Sequence, residues 1–266
     1  MLSKTKPSGV LFSWDENPHE KEQKTLSLLG KIKVGTKGIS KSGKEYPMSL
    51  DHFIARGRYE EMFHGVFGKP KTIPILFLSS DRKRVCNVRY EIRDGKNLYA
   101  YGDGRVFQVW NEQTELMESQ VMNSKEEMEE FMEEVSTNLG APWSIKLTLR
   151  FLIPHKDLPF GEWVLETKGS ESSIKNVVGA FNAMLMHLNT VQMIVWDLSV
   201  DMHTADTKKK NKYPVISITP KITESDARYL QTYQDQILSH VRIKGLTSDV
   251  IREAAKQLNL PPIRGS

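Results

Sequence analysis

Four lysines crowd one short polar segment of this chain: Lys208, Lys209, Lys210 and Lys212 within TADTKKKNK. Several ammonium groups on a hairpin tip displace counterions from a phosphate backbone without reading bases, so this segment is the first candidate for nucleic-acid contact. A solvated charged turn is the other reading. Two further basic sets point the same way. Arg82, Lys83 and Arg84 follow Asp81, and Lys37, Lys41 and Lys44 stand in GTKGISKSGKEYP, whose three glycines read as a long turn or mobile loop.

Aromatic residues interleave with basic ones between them. Arg89, Tyr90, Tyr99, Tyr101, Arg105, Phe107 and Trp110 fall on neighbouring predicted strands, where one face would offer stacking platforms beside cations, as in single-strand binders. Aromatic residues at strand spacing also build cores, and that reading stands beside the first. Asp51-His52 and the Gly102-Asp103-Gly104 turn supply oxygen and nitrogen donors of the kind that hold metals. The structural alternative is that Gly102 and Gly104 supply positive φ while Asp103 caps the amides of the turn.

Catalytic signatures are lacking. There is no Walker A loop, no GxSxG elbow and no GxGxxG opening a helix. No catalytic residue, metal set or cofactor is therefore assigned, and a metal-dependent enzyme is the third reading. The single cysteine, Cys86, excludes an internal disulfide and multi-cysteine zinc sites, and its place in VCNVRYEI marks a small packed residue.

The 266 residues carry a formal net charge of only +4, unevenly spread, and 39% apolar content is enough for a real core. Residues 1–113 hold 20 Lys/Arg against 13 Asp/Glu, residues 114–140 hold 1 against 8, and residues 141–266 hold 16 against 12. Two basic segments flanking an acidic one suit an anionic partner, with the acidic stretch turned away or meeting a protein. No apolar run approaches the ~20 residues of a membrane span, and no secretory leader is evident, so a cytoplasmic protein without membrane contact is expected.

The elements that must position these residues follow from periodicity. Residues 1–28 are polar and broken by prolines, an irregular arm. Gly30 to Val34 begins a strand, and 58–67 places Tyr59, Met62, Phe63 and Val66 at helical spacing as a core stripe. Strands are predicted at 73–78, 85–92, 98–101 and 106–110, with Asp94-Gly95 as a hairpin turn. An acidic amphipathic helix spans 123–139 and stops at Gly140-Ala141-Pro142. Strands resume at 144–151 and 161–167. A helix over 170–188 carries a broad apolar face that must cover a sheet, and a hairpin at 191–203 and 213–219 brackets the basic tip. Two packing helices, the second capped at Thr247, complete the chain.

In order and approximate spacing, five patches resemble the phage recombination-directionality-factor-like family. They are Gly30-Lys31-Ile32-Lys33 with Gly35, then Leu50-Asp51-His52-Phe53, PKTIPILFLSSD at 70–81, Val85-Cys86 to Glu91, and Gly102-Asp103-Gly104. A second region, from Gly161-Glu162-Trp163 through the helix and hairpin that follow, is similar to the family's C-terminal part. The resemblance implies a phage accessory protein with no catalysis of its own. It would bind a serine integrase on DNA and shift recombination toward excision. A single-stranded DNA-binding role in replication or recombination is the alternative.

The expected fold is α+β, a mainly antiparallel β-sheet with covering helices: an arm at 1–28, one elaborated domain at 29–220 and a helical segment at 221–266.

Overall fold

The computed structural model describes residues 26–40, 42–168, 171–204, 212–240 and 245–263. The irregular arm expected at 1–28 and the basic tip at Lys208, Lys209 and Lys210 lie, nearly whole and whole respectively, outside the described residues. Among the described residues eleven strands and six helices make an α+β fold whose strand pairing is mostly antiparallel, with β1 and β9 parallel, as the periodicity predicts. By contact the described chain divides into two units, one formed by Val88–Lys146 and the other by Ser27–Asn87 with Leu147–Ser266.

In the larger unit, β1 (Leu28–Ile39) and β2 (Glu45–Arg56) form a hairpin, and β1 pairs in parallel with β9 (Glu162–Thr167), which pairs in turn with β8 (Ser144–Phe151). A second sheet runs β11 (Lys212–Pro220), β10 (Val195–Thr204) and β3 (Thr72–Leu76). Helix α4 (Glu171–Leu188) covers that sheet with Ile174, Val177, Phe181 and Leu188, the face foreseen from the sequence. Phe181 meets Phe77 edge-on at 5.4 Å, and Phe77 meets Trp196 at 5.9 Å, so the core here is aromatic. Helix α1 (Glu60–Phe67) departs from expectation. Of its predicted core stripe only Phe63 is fully buried, packed against Trp163, and Met62 is exposed, because eight residues give little more than two turns.

Helices α5 (Glu224–His240) and α6 (Ser248–Gln257) pack on each other through Leu230, Ile237, Ile251 and Ala255. Asp226 ties their starts together. It accepts from the Thr223 amide at 3.0 Å and from the Thr223 and Ser248 hydroxyls, while Thr247 caps α6 by accepting from the Val250 amide.

The smaller unit is a meander. Strands β4 (Cys86–Asp94), β5 (Asn97–Gly102), β6 (Val106–Asn111) and β7 (Leu116–Val121) pair in sequence order, the first two residues of β4 counting with the larger unit. Strand β7 is not legible in the sequence, since LMESQV exposes nearly every side chain. In the larger unit a short helix α2 (Arg82–Val85) takes up Val85, the first residue of a predicted strand, because the Asp81 carboxylate accepts from the Lys83 amide and turns the chain. Helix α3 (Lys125–Leu139), capped by Ser124, lays Phe131 and Val135 against Ile92, Ala100 and Val109. Phe131 and Trp143 close on Phe107 at 5.0 and 5.4 Å.

Candidate functional site

The stretch expected to be a long loop is a β-ribbon. Between Gly35 and Ser49 the register is continuous, Gly35 opposite Ser49, Lys37 opposite Pro47 and Ile39 opposite Glu45, closed by a turn in which Gly43 takes φ 76°. Glycines at 35 and 38 mislead a reading by composition, because here they sit in strands. Gly35 lets the Met48 carbonyl approach, and Gly38 makes room for the Tyr46 ring, which would stand 2.6 Å from a Cβ at that position.

The root of this ribbon joins the two regions that carry the family resemblance. In the parallel β1–β9 pair Gly30 lies opposite Trp163, and a Cβ on Gly30 would meet the Arg56 carbonyl at 2.7 Å and the Trp163 ring at 2.9 Å. Gly161 is equally constrained, by Leu29 and the Ser27 carbonyl at 2.7 Å. Glycines some 130 positions apart thus each clear space for close packing around β1, which separation along the chain conceals.

The Leu-Asp-His-Phe motif at 50–53 forms the joint between root and ribbon. Pairing passes from Lys33 opposite Ile54 to Gly35 opposite Ser49, so these four β2 residues face Val34 alone across the ladder, a bulge that re-aims the strand. Phe53 is fully buried and its amide donates to the Pro70 carbonyl at 2.8 Å. Asp51 and His52 pair at 2.8 Å, and Lys71 stands 3.6 Å from the other Asp51 oxygen. The His52 hydrogen bond, with Lys71 adding charge, holds the Asp51 carboxyl below its usual range against a small desolvation penalty. Among the described residues no three His, Cys, Asp or Glu side chains converge as a metal site would require.

Beyond the joint, β9 no longer accompanies β1: its last partner on β1 is Ile32. Residues 42–49 are all exposed, as are Lys37 and Ile39. Lys37 pairs with Glu45 at 2.6 Å, which raises its pKa through that hydrogen bond and charge, and Lys44 stands in the turn. Lys41 falls outside the described residues.

The Gly102-Asp103-Gly104 turn separates its glycines. Gly104 has φ 98°, but Gly102 is not in the left-handed region. It is required because a Cβ would stand 2.4 Å from the Val106 carbonyl. Asp103 accepts from the amides of Arg105 and Val106 at 3.0 and 2.9 Å, the capping role expected of it.

The aromatic and basic strand residues do not share one platform. Phe107 and Trp110 are buried, Phe107 beneath α3 with Tyr90 tilted beside it, while Tyr99 packs against the core of Ile92 and Ala100. Arg89 instead stacks over Tyr101 at 5.0 Å, on the sheet face opposite α3, since register pairs Glu91 with Tyr101 and Gln108 while Ile92 pairs with Ala100 and Val109. Glu91, absent from the sequence-based candidates, is the centre of that face. It has no exposed surface, and Arg89 donates to it at 2.5 Å, with Arg93 at 3.6 Å and Lys146 at 3.8 Å. Its signal was present as Arg-X-Glu-X-Arg on one strand, a spacing that sets the three on one side of the sheet.

The remaining candidates lie on other elements. Arg82 and Lys83 are exposed and Arg84 half-buried on α2, Arg105 is exposed in its turn, and Lys212 is exposed opposite Thr204.

The arrangement is thus an α+β scaffold bearing an exposed β-ribbon on a closely packed root. The chain belongs to the Gp3-like family, described as recombination directionality factor-like, whose family model matches residues 29–221. No curated protein and no solved structure matches it.

Proposed function

We propose that this protein is a recombination directionality factor of a phage or prophage. In this reading it works in the host cytoplasm with no chemistry of its own, binds a serine integrase on DNA, and shifts the outcome from integration to excision. The family match carries the reading, because it spans the root, the joint and the whole ribbon as well as the β9 patch. The mechanism it asks for is a population shift. An accessory protein that binds one synaptic arrangement of the integrase in preference to another by about 5 kcal/mol moves an equilibrium from nearly all of one to nearly all of the other.

A recombination assay tests this directly. With purified integrase and paired site substrates, adding the protein turns on excision and suppresses integration. Unchanged direction at stoichiometric excess would remove the reading. Single-strand binding is the second reading, favoured by Arg89 stacked on the half-buried Tyr101. It requires submicromolar, salt-sensitive binding to single strands that Tyr101→Ala abolishes, read by fluorescence anisotropy.

A further inference from the structure

The ribbon beyond the joint is the least self-sufficient part of the described molecule. Its two five-residue runs, 35–39 and 45–49, extend roughly 17 Å at strand rise and pair only with each other. A lone two-stranded hairpin is marginal in water unless something covers a face. Here it instead exposes large apolar side chains, Ile39 at 74%, Tyr46 at 46% and Met48 at 40%.

The two faces differ in kind. Register sets Thr36, Gly38, Tyr46 and Met48 on one face and Lys37, Ile39, Glu45 and Pro47 on the other. The first has no charged group, and its Tyr46 ring lies across Gly38, which orders an aromatic side chain before any partner arrives. A pre-ordered aromatic beside a methionine is the composition of an interface centre. Beside it Lys44 stands exposed in the turn, while Lys37 lies on the other face, paired with Glu45 at 2.6 Å.

Resting on the functional reading above, we infer that the Tyr46–Met48 face of this ribbon is a docking surface for a protein partner, seated on an apolar patch of that partner with a carboxylate at its edge to meet Lys44. Lys44 selects that edge, and the uncharged aromatic face selects a protein centre over a phosphate backbone, which would favour cations there. The root explains why the ribbon suits this use. Phe53, Gly30 and Trp163 fix its base, so the outer runs project from a packed anchor.

The test measures binding of the full-length protein to the serine integrase of the same genome, free and on its DNA site, by biolayer interferometry. The variants are Tyr46→Ser/Met48→Ser and Lys44→Glu, with melting temperature and circular dichroism as folding controls. The expected result is a loss of at least tenfold in affinity for the first variant. The second weakens binding in a way that fades as salt rises, and the melts of both are unchanged. Wild-type binding retained in full by the serine variant would overturn the docking surface while leaving the functional reading intact. Absence of any wild-type binding to integrase would overturn the functional reading and this inference with it. Loss of duplex DNA binding by the serine variant without integrase present would assign the face to nucleic acid and overturn the protein partner.

Discussion

Glu91 shows how much a single side chain organises here. A fully buried carboxylate is tolerated only when cations and hydrogen bonds replace its hydration, and Arg89, Arg93 and Lys146 do so. Burial works to raise its pKa. The Arg89 hydrogen bond and charge, with Lys146 and Arg93 behind it, outweigh burial and leave the group below its ordinary 4.5. Replacing Glu91 with Gln keeps the shape and strips the counter-charge from three cations, so an expected loss of about 3 kcal/mol should appear in urea denaturation. Cys86 offers a contrasting case. Burial pushes its thiol up to about 12, with Arg82 opposing only weakly. The native protein should leave Ellman's reagent unreacted at pH 8 and yield one thiol in guanidinium.

At the scale of elements, the acidic helix α3 is the clearest case of local sequence deciding local structure. Ser124 accepts from the Glu127 amide, the Glu127 carboxylate accepts from the Asn123 amide, and Gly140 ends the helix at φ 59°. Ser124→Ala should cost about 1 kcal/mol of folding free energy, measured by denaturant titration. The ribbon is the opposite case. Strand β2 was illegible because its outer residues, 45–49, are exposed and their glycine partners on β1 look like turn residues. Only cross-strand pairing gives Gly38 a reason, namely the Tyr46 ring. The same holds for β7, an exposed strand with no apolar alternation to betray it.

At the scale of the whole molecule, acid should weaken the fold. Asp226, like Glu91, has its pKa pulled down. Burial opposes this, but hydrogen bonds from Ser248 and Thr223 and the charge of Arg252 exceed it and leave the carboxyl below its ordinary 3.8. Both groups bind protons more readily in the unfolded chain. Their stabilisation is therefore complete above the ordinary carboxylate values and is lost as pH falls through them toward the folded pKa values. The melting temperature should hold steady from pH 7 to about 5 and decline below it, with a shallower decline in Asp226→Asn.

The sequence by itself determined what local physics controls. The helices at 123–139 and 170–188 follow from caps and 3.6-residue periodicity, the Asp94-Gly95 hairpin and the Asp103 cap follow from turn chemistry, and the family follows from an ordered set of short motifs. Only the tertiary structure decided what those motifs are for. Gly30 and Gly161 clear space for close packing around β1, the Leu-Asp-His-Phe motif is a joint in a ribbon, and the strand aromatics divide between a core under α3 and the face where Arg89 meets Tyr101. The physical reason is common to all three. Close approach, register and burial depend on which residues face each other across strands, and that information is non-local, whereas caps, turns and periodicity are written within a few residues of each other.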